Sequence, residues 1–114
     1  MAVDQRDAAV LTALAKAGSD LSLPHEVRHY FYAPDRPTAK VLAKRLRRNG
    51  YSAQEQQAAT DKSDNTPGHL VLVTHVSVPT PAEIARLRAE FEKTARALGA
   101  EYDGWEAPIT KRGH

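Results

Sequence analysis

One segment restricts the fold more than any other: Leu70 to Val78, LVLVTHVSV, followed at once by Pro79, Thr80 and Pro81. Leu70, Val71, Leu72, Val73, Val76 and Val78 form a β-branched-rich run, far short of the roughly 18 residues of a membrane span, so it is expected to be a strand buried near a sheet centre. Pro79 ends it. Thr80 is placed to cap a helix, Pro81 suits the first helical position, and Glu83 completes a capping-box pattern. Ile84, Leu87, Phe91, Ala95 and Leu98 recur at helical spacing and lay one apolar stripe on the sheet, with Gly99 as the stop.

A chain of 114 residues, 41% hydrophobic and 26% charged, is expected to form one soluble domain with a core of its own. Without cysteine there is no disulfide framework, no thiolate metal site and no thiol nucleophile, which suits a reducing compartment. Neither a membrane span nor a basic and apolar leader is visible, so the expected location is cytoplasmic. A formal net charge of +2 is too small to imply nucleic acid by itself, and the distribution of charge has to carry that argument.

Val3, Val10, Leu11 and Leu14 lie at helical spacing among alanines, which predicts an N-terminal helix closed by Gly18, Ser19 and Asp20. From Glu26 to Tyr32 the period becomes two: Val27, His29 and Phe31 point one way, Arg28, Tyr30 and Tyr32 the other. Ala39, Leu42, Ala43 and Leu46 return to helical period between Thr38 and Asn49, and Gly50 is the stop. Tyr51 to Ala58 reads as a polar edge strand, and Thr60 to Gly68 as a mobile hairpin loop. The last strand is Glu101 to about Trp105. After the first helix the order is βαββαβ, a ferredoxin-like sandwich of two helices on one face of a four-stranded antiparallel sheet. The expected division is a helix at 1–18, a core at 26–105 and a tail at 106–114.

Three segments carry a family resemblance: Gly18-Ser19-Asp20 after the first helix, Val27-Arg28-His29-Tyr30-Phe31 followed by a loop with Asp35, and Glu101-Tyr102-Asp103-Gly104-Trp105 after the last helix. In these the chain resembles the ribonuclease E inhibitor B family, the regulators of ribonuclease E activity. The resemblance implies a small, non-catalytic cytoplasmic protein that alters RNA processing or decay by binding the non-catalytic carboxyl-terminal region of ribonuclease E. The best-known members are strongly acidic and end in a long acidic tail. This chain has a pI near 9.0 and ends Lys111-Arg112-Gly113-His114.

The candidate protein-binding residues are Tyr30, Glu101, Tyr102, Asp103 and Trp105, because Tyr and Trp are enriched at binding hot spots. Trp105 alternatively closes the open end of the core, and burial preference favours that role. His29 and His75 have no cysteine partners and read as hydrogen-bonded structural histidines, without a metal; no cofactor is expected. Neither a nucleophile nor a paired-carboxylate motif supports a small histidine-dependent enzyme, the lowest-ranked alternative. Arg36, Lys40, Lys44, Arg45, Arg47 and Arg48 hold six of the sixteen basic residues with no acid between them. Lys40, Lys44, Arg47 and Arg48 form a candidate basic patch opposite Leu42 and Leu46, which gives an RNA-binding module as the runner-up reading. The third strand lacks the aromatic and glycine pattern with which such sheets stack bases. Tyr30 and Tyr32 on the other sheet face also fit a dimer interface.

Overall fold

The computed structural model describes residues 4–57 and 69–111, so the hairpin loop expected at Thr60 to Gly68 lies outside the described residues. The elements are α1 (Gln5–Lys16), β1 (His25–Ala33), α2 (Arg36–Arg48), β2 (Ser52–Gln57), β3 (His69–Ser77), α3 (Pro81–Ala97) and β4 (Glu101–Glu106). The four strands form one sheet in the order β2-β3-β1-β4, with every pairing antiparallel. This is the ferredoxin-like α+β topology with an added N-terminal helix.

The helices begin and end where local chemistry requires. Asp4 caps α1 by accepting the Arg6 N–H at 2.8 Å, and Asp35 caps α2 by accepting the Thr38 N–H at 2.8 Å. Thr80 caps α3 by accepting the Glu83 N–H at 3.1 Å. The capping box stays half-formed, because the Glu83 carboxylate turns to Arg86, which donates to it at 2.9 and 3.0 Å. Gly50 follows the α2 cap at φ 98°, a conformation that costs a side chain energy and glycine little.

Alternation along β1 sorts the chain into two faces. His25, Val27, His29, Phe31 and Ala33 are buried toward the helices, while Glu26, Arg28, Tyr30 and Tyr32 face the other way. Phe31, Val71, Val73, Leu42, Leu46, Leu87 and Phe91 form the main core between the sheet and α2 and α3. Leu11, Leu14, Val27, Ile84 and Trp105 form a second cluster that seats α1. Each fully buried aliphatic or phenyl side chain contributes roughly 1.5–3 kcal/mol, so these clusters hold the two layers together.

Position in the sheet and burial part company in β3. It is an inner strand, yet Leu70 and Leu72 are only half-buried and Val76 is 68% exposed. An unbroken apolar run suggests burial on both faces. Here, among the described residues, the helices cover one face only, and the side chains pointing away from them form an open apolar strip.

Candidate functional site

The Glu101–Trp105 motif folds as a bulged edge strand. Register between β1 and β4 runs Arg28 to Glu106, His29 to Trp105 and Tyr30 to Gly104, then shifts so that Phe31 pairs with Tyr102 and Tyr32 with Glu101. Asp103 is the extra residue, and Gly104 beside it holds φ 120°. The bulge turns both Tyr102 and Trp105 toward the helices. Trp105 is 6% exposed and packs in the cluster under α1, which closes that end of the core.

The candidate binding residues therefore separate. Glu101, Tyr102 and Asp103 come together in a crevice of about 410 Å³, shared with Arg6, Glu92 and Arg96. Tyr30 lies on the open sheet face beyond β4, where its hydroxyl donates to Glu106 Oε1 at 2.7 Å. Trp105 reaches neither surface and supports both from within. Tyr32, which the alternation of the strand already places beside Tyr30, is 42% exposed and stands opposite Leu70, while Tyr30 stands opposite Leu72; the two leucines were not evident in the sequence as part of that face. Arg28 completes the rim, 3.1 Å from Glu26 and 4.0 Å from Glu106. Tyr30 pairs with Gly104, which offers no side chain opposite the aromatic ring.

Beneath the sheet runs a chain of buried polar groups. The Tyr102 hydroxyl lies 2.8 Å from His29 Nδ1, and His29 Nε2 lies 3.2 Å from His75 Nε2, a contact that needs one protonated and one bare nitrogen. Burial, with smaller contributions from the charges of His75 and Arg88, lowers the His29 pKa to about 3, so this imidazole is neutral at ordinary pH. Burial also lowers His75 and raises Tyr102. Phe91 packs its edge against His29, and neither imidazole lines the crevice at β4. Among the described residues no group of three or more His, Cys, Asp or Glu side chains is arranged to hold a metal ion.

A second polar cluster ties α1 to the sandwich. Arg88 donates from Nε and Nη2 to the Asp7 carboxylate at 2.7 Å each, and Trp105 Nε1 donates to the same carboxylate at 3.0 Å. The Arg88 guanidinium also lies 5.0 Å above the Tyr102 ring. Its hydrogen bond to Asp7 raises the Arg88 pKa. Asp7 and Arg88 were not evident as functional or structural partners in the sequence, being 81 positions apart.

The Gly18-Ser19-Asp20 match has a local explanation as well. His25 is 1% exposed; its Nδ1–H donates to the Leu23 carbonyl at 2.8 Å, which leaves Nε2 to accept from the Ser19 hydroxyl at 2.6 Å. Ser19 Oγ in turn accepts the Thr110 N–H at 2.9 Å, and the Asp20 N–H donates to the Thr110 carbonyl at 2.7 Å. A serine beside a histidine suggests a nucleophile, but Ser19 is 8% exposed and it is the Leu23 carbonyl, with no carboxylate among the described residues, that orients the imidazole. The loop is a clasp for the chain after β4.

On the helical side, Lys40, Lys44, Arg47 and Arg48 are all exposed along α2, and Arg47 Nε donates to the Ala53 carbonyl of β2 at 2.9 Å. No helix of the described residues is long and apolar enough to cross a membrane.

Fold and surfaces together define a ferredoxin-like α+β sandwich whose described surfaces include an open sheet face and an edge strand that carry aromatic and charged groups, while His25 and His29 serve the interior. The chain belongs to the Regulator of ribonuclease activity B family, whose model matches residues 4–107. Membership places it among regulators of ribonuclease activity, a regulatory rather than catalytic family. No curated protein matches the chain.

Proposed function

We propose that this protein regulates RNA processing or decay by binding a ribonuclease, ribonuclease E being the first candidate, and that it performs no catalysis itself. The observation that carries the reading is the uncovered aromatic face joined to a bulged edge. Tyr30 and Tyr32 sit against Leu70 and Leu72, and across one strand lie Glu101, Asp103 and the Tyr102 crevice. Aromatic side chains with polar tips bury much area at small entropic cost and are the usual anchors of such contacts. The carboxylates of Glu101, Asp103 and Glu106 along the edge suit a basic segment of the enzyme. Tyr102 and Trp105 act by holding the edge strand in its bulged shape.

Co-purification with the ribonuclease E of the same cell, repeated with Tyr30→Ala and Asp103→Ala, tests both parts of the proposal. Both variants are expected to fold and to bind more weakly. Undiminished binding in both would remove the surface, and no association of the native protein would remove the partner.

A further inference from the structure

We infer that α2 is a second binding surface, a track for the phosphates of single-stranded RNA, independent of the surface at β4. The charge distribution is the starting point. Six cations lie in α2, which has no acid, while the other ten basic residues of the chain face fourteen carboxylates. The remainder of the protein is therefore net negative, and the +2 of the whole conceals a positive helix.

None of those six cations is committed to a carboxylate among the described residues. Arg6, Arg28, Arg86 and Arg88 each have a carboxylate within 4.0 Å, whereas among the described residues Arg36, Lys40, Lys44, Arg45, Arg47 and Arg48 have none. All six are exposed. At about 100° per residue they cover roughly half of the helix circumference, the half turned away from Leu42 and Leu46. From Arg36 to Arg48 they extend about 18 Å along the axis, with Arg36, Lys40 and Lys44 rising in steps of about 6 Å. Arg47, held to the β2 backbone, steadies the C-terminal end of the track.

The composition of this face distinguishes an RNA from an acidic protein. Protein interfaces are centred on buried aromatic or apolar anchors. This face offers Pro37 and Val41, the latter 52% exposed, and no aromatic ring among its described lysines and arginines. Dense, mobile cations without an anchor are the means by which proteins neutralise phosphates irrespective of sequence. The carboxylates of β4 lie at the opposite edge of the sheet from β2, against which α2 packs, so RNA on α2 leaves the aromatic face and the bulged edge free.

The test is fluorescence anisotropy of the purified protein with a labelled 20-nucleotide single-stranded RNA of mixed sequence. With about four phosphates neutralised, affinity is expected to fall roughly fiftyfold between 50 and 200 mM salt. Lys44→Glu/Arg48→Glu is expected to weaken binding at least tenfold and flatten the salt dependence, whereas Tyr30→Ala leaves both unchanged. Far-UV circular dichroism verifies that each variant is folded. Absent or salt-independent RNA binding would overturn the inference, as would binding that survives the charge reversals. Tighter binding to a polyglutamate peptide of equal charge would overturn it too, by assigning the face to an acidic protein segment. Loss of ribonuclease binding, by contrast, leaves this result standing.

Discussion

Tyr102 and Trp105 stand three residues apart on one strand and yet face the same side of the sheet. A strand without interruption would send them to opposite faces, so the Asp103–Gly104 bulge sets where both rings go. Gly104 holds φ 120°, and a Cβ built there would meet nothing within 4 Å. The requirement for glycine is thus conformational and not a matter of space. Gly104→Ala is expected to destabilise the fold by about 1–3 kcal/mol, seen as a lower urea midpoint with an unchanged slope. A midpoint equal to that of the native protein would mean that the bulge tolerates a side chain.

The Asp7 carboxylate accepts three hydrogen bonds, two from Arg88 and one from Trp105, so its removal strands a buried cation and a buried N–H together. Asp7→Ala is expected to cost about 3–5 kcal/mol by chemical denaturation. The paired replacement Asp7→Leu/Arg88→Met is expected to recover most of that, because it leaves no uncompensated charge. A loss in the double variant equal to the sum of the losses of Asp7→Leu and Arg88→Met measured singly would show that the pair is not coupled.

Acid should weaken the fold through His29 before the carboxylates titrate. Its folded pKa, near 3, lies below the ordinary value of 6.5, so between those limits the unfolded chain binds more protons. Stability contributed by the neutral imidazole is complete above pH 6.5 and is lost as pH falls toward 3; His75 acts in the same direction. The expected slope is about 1.4 kcal/mol per pH unit for one fully titrating group. Urea midpoints at pH 7, 6 and 5 measure it, and His29→Gln should flatten the trend. The carboxylates of Asp35 and Glu83 are both lowered by their hydrogen bonds from ordinary values of 3.8 and 4.5, so they stay ionised over the pH 5 to 7 range of the measurement.

Much of the architecture was legible because α2, α3 and β1 obey their periods. Leu42 and Leu46, Ile84 and Phe91, and Val27 and Phe31 all point where spacing places them. The edge strand was less legible, since a bulge breaks the period of two and no residue other than Gly104 announces it. The apolar run of β3 overstated burial, because composition does not reveal that the described helices cover one sheet face only. Asp7 and Arg88 left a fainter signal: each sits on the apolar stripe of its helix, Asp7 four positions before Leu11 and Arg88 four after Ile84. A charge at such a position asks for a buried partner, but nothing local says which one. The family motifs had the converse character. They marked the right places, yet their most evident roles are a bulge and a clasp.

The clasp supplies the last prediction. Ser19 Oγ joins His25 to the Thr110 backbone, linking the end of α1, the start of β1 and the chain after β4. Ser19→Ala deprives the buried His25 Nε2 of its donor and the Thr110 N–H of its acceptor. The expected loss is about 1–3 kcal/mol, the range for stranding a buried polar group. Hydrogen exchange separates this role from general loosening: the Thr110 and Asp20 amides should exchange faster in the variant, while the Phe31 and Val71 amides of the inner strands change only by the global loss of stability. Retained protection at Thr110 would show that the tail is held by something other than this serine.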